Sequence, residues 1–243
     1  MSTFRPGILP SLLVLVLLPA LVGLGCWQLA RAEEKRALLA VHEARRAAAP
    51  VSLSALERAP DMAYARVRLR GHFDERHGLL LDNRTRNGQA GVEVLQPFYD
   101  QGSGLWVLLN RGWLPWPDRR IAPAFTTPDT PLELFASVYV PLGEGLQLQR
   151  SRAAEGWPRL VTEVKPQALW QQLGRAGLAY ELRLDPGPAS FQVGWPVVAM
   201  SPDKHLGYAV QWFAMATALL GLFIYLGLHN ARETRHEPSH RPA

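Results

Sequence analysis

Near the C-terminus a histidine and two aromatic rings are spaced for one helical face. His205, Tyr208 and Trp212 stand at offsets of three and seven residues, which on an α-helix return to nearly the same side. They sit at the head of residues 206–228, a run without a charge. Two chemistries suit such a constellation. One is an interfacial belt, in which amphipathic rings settle at the boundary between water and lipid. The other is a ligand site, in which an imidazole nitrogen offers its lone pair beside apolar rings.

Other reactive residues are weaker candidates. "GHFDERHG" gathers His72, Asp74 and His77 within six residues. On a strand His72 and Asp74 share a face while His77 falls on the other or in the turn, so a solvated hairpin end is expected rather than a metal site. Asn83-Arg84 and Asn110-Arg111 each close an apolar strand. Asn tolerates turn geometry and Arg ties strand ends to carboxylates or carbonyls, so both pairs read first as scaffold. Glycine-rich nucleotide loops and the Gly-x-Ser-x-Gly nucleophile turn are missing from the sequence. Cys26 is the one cysteine, which excludes an intrachain disulfide, a Cys-x-x-Cys copper site, a c-type haem attachment and a zinc finger. The net charge of +5 comes from scattered residues and suits anionic lipid headgroups better than nucleic acid.

The elements that must position these residues follow from hydropathy. Residues 7–30 and 206–228 are both uncharged, and each is long enough to cross roughly 30 Å of hydrocarbon as a helix. The first run imitates a cleaved signal, with Gly25-Cys26 in place of a lipoprotein box. Gly23 stands where that box wants leucine, however, and helical periodicity continues through "CWQLARAEEKRALLAVHEARR", so an uncleaved anchor is expected. The charged, Ala-rich stretch that follows is expected to prolong the helix up to Pro50. Charge alone leaves the orientation open, because Arg31, Lys35, Arg36, Arg45 and Arg46 oppose Arg232, Arg235 and Arg241.

Between the spans the texture changes to short strands. Val67, Leu69 and Gly71 alternate with Arg66, Arg68 and Arg70. "GLLLD", "GVEVLQPFY", "GLWVLLNRGWLP", "PLELFASVYVP", "PRLVTEV" and "LAYELRLD" follow, with turns at "RNGQAG" and "DQGSG". "PQALWQQLG" is a short helix that begins near Pro166 and ends at Gly174. The fold class is therefore an α+β membrane protein, two transmembrane helices bracketing an antiparallel β-rich extramembrane domain, a sheet or small barrel, with minor helices. The expected division is a short N-terminus 1–6, a first span 7–30, a β-rich domain 31–205, a second span 206–228 and a polar, frayed tail 229–243.

Taken in order, several blocks carry a resemblance. Gly25, Trp27, Gln28 and Arg31 give Gly-x-Trp-Gln-x-x-Arg, and "GHFD", "NRTRNGQAG", "NRGWLP" and "HLGYAVQWF" follow. The chain resembles the Surfeit locus protein family, the cytochrome c oxidase assembly factors; residues 146–158 match no family pattern. The resemblance implies cytoplasmic termini and a central domain facing the periplasm. With six residues ahead of the first span, the expected setting is a bacterial inner membrane. It further implies a non-enzymatic assembly factor that assists haem a insertion into the oxidase large subunit, in contact with that subunit, the haem a synthesis machinery and membrane lipids. The resemblance implies that His205 stands at the position of the histidine through which bacterial members bind haem a. Tyr208, Trp212 and Trp27 would then wall the macrocycle, and Arg31 and Lys35, at the depth of His205, would meet its propionates. Arg84 and Arg111 are further candidates for partner or propionate contact. Ala214, Ala218 and Gly221 would let the helices approach, and Trp27, Gln28 and Arg31 are expected to pack near the head of the second span. The rival readings are an assembly scaffold that binds no cofactor and a membrane-anchored enzyme, the latter disfavoured by the lack of a compact catalytic motif.

Overall fold

The computed structural model describes residues 4–59, 61–121, 123–140 and 156–233. In chain order these form α1 (Ile8–Ala47), β1 (Val51–Ser52), α2 (Leu53–Leu56), β2 (Arg66–Phe73), β3 (Leu79–Arg86) and β4 (Gln89–Asp100). β5 (Leu105–Pro115), β6 (Leu132–Tyr139), β7 (Arg159–Val161), α3 (Pro166–Leu173), β8 (Gly177–Leu184) and α4 (Pro202–Glu233) complete the order. Residues 1–41 with 197–243 make one unit, and residues 42–196 the other.

In the first unit, α1 and α4 are both long and apolar enough to cross a membrane. At ~1.5 Å per residue the 40 residues of α1 reach about 60 Å, twice the hydrocarbon thickness, so its charged C-terminal half has no need of lipid. Each helix carries one shielded stripe. On α1 it is Val14, Leu18, Leu21, Gly25, Gln28 and Ala32; on α4 it is His205, Ala209, Trp212, Ala216, Leu219 and Phe223. The alternating steps of three and four are the 3.5-residue period of helices that run alongside one another. Contact comes from rings set into glycines. A Cβ on Gly25 would stand 2.6 Å from the Phe213 ring, and one on Gly227 would stand 2.0 Å from Phe4. The Arg5 N–H donates to the Gly227 carbonyl at 3.0 Å and fastens the start of the chain to the far end of α4. The expected contact through Ala214, Ala218 and Gly221 is wrong: all three are exposed on α4. They repeat with a helical period, but on the side of α4 turned away from the stripe. α4 also continues as helix through Glu233 where a frayed tail was expected from residue 229.

In the second unit the sheet closes. Neighbouring strands run β1-β2-β6-β8-β5-β4-β3-β7, and a further β2–β4 pairing joins the ends of β2, β6, β8, β5 and β4 into a barrel. Gly71 makes that closure possible, because it pairs with both Asp100 and Leu132. A Cβ there would fall 1.7 Å from the Tyr99 carbonyl oxygen. The alternation read in β2 holds: Val67 and Leu69 point inward with Phe98, Val107, Leu109 and Leu182, while Arg68 and Arg70 stay outside. α3 covers the outer face over Leu81, Leu95 and Leu108. It starts at Pro166 and stops at Gly174, whose φ of 63° is the left-handed turn that ends a helix.

Two expectations need correction here. The sheet is not purely antiparallel: β1–β2, β3–β7 and β5–β8 are parallel. Long crossovers separate the partners in the last two pairs, and a crossover is what parallel pairing requires. Nor does Asn-Arg close its strand. Asn83 lies inside β3 with φ 57° and a register shift between Leu81 and Arg84. Asn110-Arg111 lies inside β5, where Gly112 at φ 119° accompanies a register shift against β4. Each pair marks a bulge, so the strand bends and runs on. α2, capped by the Ser52 hydroxyl accepting from the Ala55 N–H at 3.3 Å, is an element the sequence reading missed. Of the unmatched stretch 146–158, residues 146–155 lie outside the described residues.

Candidate functional site

The start of α4 sets where His205 stands. The Ser201 hydroxyl accepts from the Lys204 N–H, Pro202 occupies the first turn, and Asp203 adds an acidic group at the positive end of the helix. His205 follows one turn in, on the shielded stripe, with 9% of its surface exposed. On α1 the stripe carries Gln28 between Gly25 and Ala32. Gln28 Oε1 and His205 Nδ1 lie 2.7 Å apart. An amide oxygen only accepts, so a neutral imidazole that bonds to it does so through an Nδ1–H and leaves the lone pair on Nε2. A metal-binding imidazole is oriented in this way, by donating its other N–H to a nearby oxygen.

The remaining residues singled out in sequence divide. Trp212 is half-buried on the same stripe as His205. Tyr208 and Trp27 project outward, 44% and 49% exposed, where rings would meet lipid or a flat apolar ligand. Arg31 lies over the Trp27 ring at 5.6 Å and pairs with Glu34 at 2.6 Å, so its charge already has a partner. Lys35 stands 3.6 Å from the other Glu34 oxygen. The structure therefore brings His205 to Gln28 and Arg31 to Trp27 and Glu34. Gln28 meets the head of α4 as expected, but it was not among the candidate site residues. Its signal was a polar side chain at the end of an uncharged run, on the same helical stripe as Gly25 and Ala32.

The barrel holds a second set of polar contacts. Asp74 Oδ2 accepts from Arg175 Nη1 at 2.6 Å and lies 2.7 Å from His77 Nδ1, while Oδ1 accepts from the Arg76 N–H at 2.8 Å. Burial works to raise the Asp74 carboxyl, but the His77 and Arg175 hydrogen bonds outweigh it and hold the group below its ordinary range. His77 meets Trp157 edge-on at 4.8 Å, and Arg175 lies over Trp106 at 4.0 Å. His72 is elsewhere, against Tyr99 and Trp106, so the three residues of "GHFDERHG" do not converge. No group of three or more metal-binding side chains occurs among the described residues.

Arg111 is the most enclosed cation among the described residues, 2% exposed. Its Nε donates to the Ala189 carbonyl at 2.8 Å, its Nη1 to Gln96 Oε1 and the Thr126 carbonyl, and its plane faces Phe191 at 4.4 Å. Burial lowers its pKa to about 10, which leaves it charged at neutral pH. Its role is to bind the segments at Thr126 and Ala189 to β5, as the scaffold reading expected. Beside it a polar row crosses five strands. Arg183 lies 3.4 Å from the Tyr139 ring and 3.2 Å from Glu181; Asn110 Nδ2 donates to Glu181 at 2.9 Å and Glu93 at 2.8 Å; Arg84 stands 3.7 Å from Glu93. Burial pushes the Glu181 carboxyl up, against the pull of Arg183 and Asn110.

Surfeit locus protein 1 of Xenopus tropicalis is 33% identical over 120 residues, 42% of this chain and 39% of that protein. Cytochrome oxidase assembly protein SHY1 of Saccharomyces cerevisiae is 33% identical over 104 residues, 41% of this chain and 26% of the yeast protein. The chain thus spans well under half the length of these relatives. A SURF1-like protein of Rickettsia felis is matched far more fully, at 23% identity over 88% of this chain and 95% of its own length. The model of the SURF1 family matches residues 15–217, from the first apolar helix through the barrel to the turns of α4 that carry His205, and the chain belongs to that family.

Proposed function

We propose that this protein is a non-enzymatic assembly factor for a cytochrome oxidase, and that it holds haem a for transfer to the oxidase large subunit. The observation that carries the reading is the oriented imidazole of His205, read together with membership of a family that includes the yeast cytochrome oxidase assembly protein. The residues suit the group. His205 Nε2 would offer a nitrogen to the iron, Trp212 lies two turns along the same shielded stripe, and Trp27 and Tyr208 would present ring surface to an apolar macrocycle. Arg31, shared with Glu34, supplies cationic character for propionates. Bound haem supplies the iron centre that the target subunit needs; the chain's part is to hold it and keep water away.

In this reading α1 and α4 cross a bacterial inner membrane, both termini are cytoplasmic, and residues 42–196 face the periplasm beside the oxidase subunit and the enzymes that make haem a. A periplasm-active phosphatase fused after Ala243 is expected to stay silent, and activity there reverses the orientation. His205→Ala, isolated from cells that make haem a, is expected to accumulate in the membrane and lose bound haem. Tyr or Trp at this position should fail as Ala does. Wild-type haem content and Soret position in His205→Ala would sink the cofactor reading and leave the scaffold that binds none.

A further inference from the structure

The seam between α1 and α4 assigns a task to Gln28. We propose that Gln28 is a positioning residue that fixes the tautomer of His205 and so decides which nitrogen meets the iron. The proposal rests on the haem-holding reading above, but its first consequence concerns the apoprotein.

The reasoning starts from the imidazole. It has two nitrogens, and in the neutral ring either one can hold the proton. Nδ1 adjoins the carbon that joins the ring to Cβ, so a macrocycle bound there would collide with the histidine's own turn of helix. Nε2 lies at the far side of the ring and clears it. With Gln28 Oε1 at 2.7 Å from Nδ1, the proton is drawn to Nδ1 and the lone pair is left on Nε2. Without that acceptor a free imidazole would populate both forms and turn about its χ angles.

The neighbours are small where they need to be. Gly25 and Ala32 flank Gln28 on α1, and Ala209 follows His205 one turn along α4, so neither side chain is pushed out of the seam. The contact joins residues 177 apart in sequence, one on each helix, so it exists only when both helices are assembled. Apolar stripes alone would leave such a pair free to slide by a turn. A polar contact in the seam penalises the slide, because either group then loses its partner.

The identity of the acceptor matters as well. A carboxylate at this place would pull the proton harder, raise the basicity of Nε2 and tighten the iron bond. The amide orients the ring without adding charge. Such a ligand holds iron in the right place while keeping the bond weak enough to give the cofactor up, which is what a transfer protein requires.

The test uses full-length protein in detergent, with His205 observed by ¹⁵N NMR before any haem is added. The wild type is expected to show a protonated, pyrrole-like Nδ1 and an unprotonated Nε2. Gln28→Met is close in shape and lacks the acceptor, so it should redistribute the proton between the nitrogens. Titrated with isolated haem a, it should bind roughly 10–100-fold more weakly than wild type. Gln28→Glu is expected to restore the tautomer, bind more tightly than wild type and shift the haem potential to more negative values. Unchanged nitrogen signals in Gln28→Met overturn the proposal, and so does altered tautomerism with unchanged haem affinity. A wild type with the expected tautomer that takes up no haem a overturns the cofactor reading instead, while confirming what Gln28 does to the ring.

Discussion

Two histidines in this protein are held by the same device and differ in what holds them. His205 Nδ1 faces the neutral amide oxygen of Gln28, and His77 Nδ1 faces the carboxylate of Asp74, each at 2.7 Å. The Asp74 carboxylate is also spent on Arg175 and on the Arg76 backbone, so it ties the turn after β2 to the turn after α3. His77 is one strand of that knot. Gln28 makes one contact to one ring across two helices. The difference teaches where to look for ligand chemistry. A ring woven into a charged network stabilises the barrel, whereas a ring oriented by a lone neutral acceptor keeps its other nitrogen for something else.

The largest effect that can break this contrast is expected at Asp74. Asp74→Asn keeps the shape but removes the charge that Arg175 and His77 share, leaving a largely enclosed cation without its counter-charge. A loss of about 2–3 kcal/mol is expected for the barrel. It should be read as a lower thermal midpoint of β-sheet circular dichroism in the full-length protein. Gln28→Met, by the same measurement, should cost the barrel nothing and the protein less than about 1 kcal/mol. Equal losses in the two variants would mean that both histidines are structural.

The acid limb sharpens the contrast further. The folded Asp74 carboxyl lies below its ordinary value of 3.8, so its contribution is complete above that value. It is lost as the pH falls through the lower, folded value. Wild-type midpoints should therefore fall on acidification below about pH 4 more steeply than those of Asp74→Asn. Parallel curves would show that the network carries no charge-dependent stability.

How much of this was legible in sequence depends on the range of the contact. The two long apolar helices, the alternation of Val67 and Leu69 with arginines, and the limits of α3 are local patterns, and they were readable. The choice between an open sheet and a small barrel was not, since closure turns on Gly71 meeting Asp100 and Leu132, partners far along the chain. The Asn-Arg pairs were seen, but a bulge and a strand end share the same residue preferences, so their position inside β3 and β5 needed the pairing partners. Gln28 was expected near the head of the second apolar run, but its particular partner was not legible, because His205 is 177 residues away. Tyr208 looked equivalent to His205 at an offset of three. The seam, however, follows 205, 209 and 212, and that left Tyr208 on the outer side.

The smallest expected effect lies in the polar row, where the sign of the pH dependence reverses. Glu181 is enclosed, and burial raises its carboxyl above the ordinary 4.5 despite Arg183 and Asn110. The folded chain thus holds this proton more tightly than the unfolded chain does. Its contribution is complete below 4.5 and is lost as the pH rises through the folded value, opposite in direction to Asp74. Glu181→Gln removes that titration while its amide oxygen still accepts from Asn110 Nδ2. Arg183 loses its ion partner but keeps the Tyr139 and Trp195 rings at 3.4 and 4.9 Å. At neutral pH these changes should nearly cancel, to within about 1 kcal/mol. The slope is the readout: between about pH 4.5 and pH 8 the midpoint of Glu181→Gln should fall less with rising pH than that of the wild type. If the two curves run parallel across that window, Glu181 holds its charge in the folded barrel at no cost. The row is then a plain ion network whose two arginines fully offset its two carboxylates.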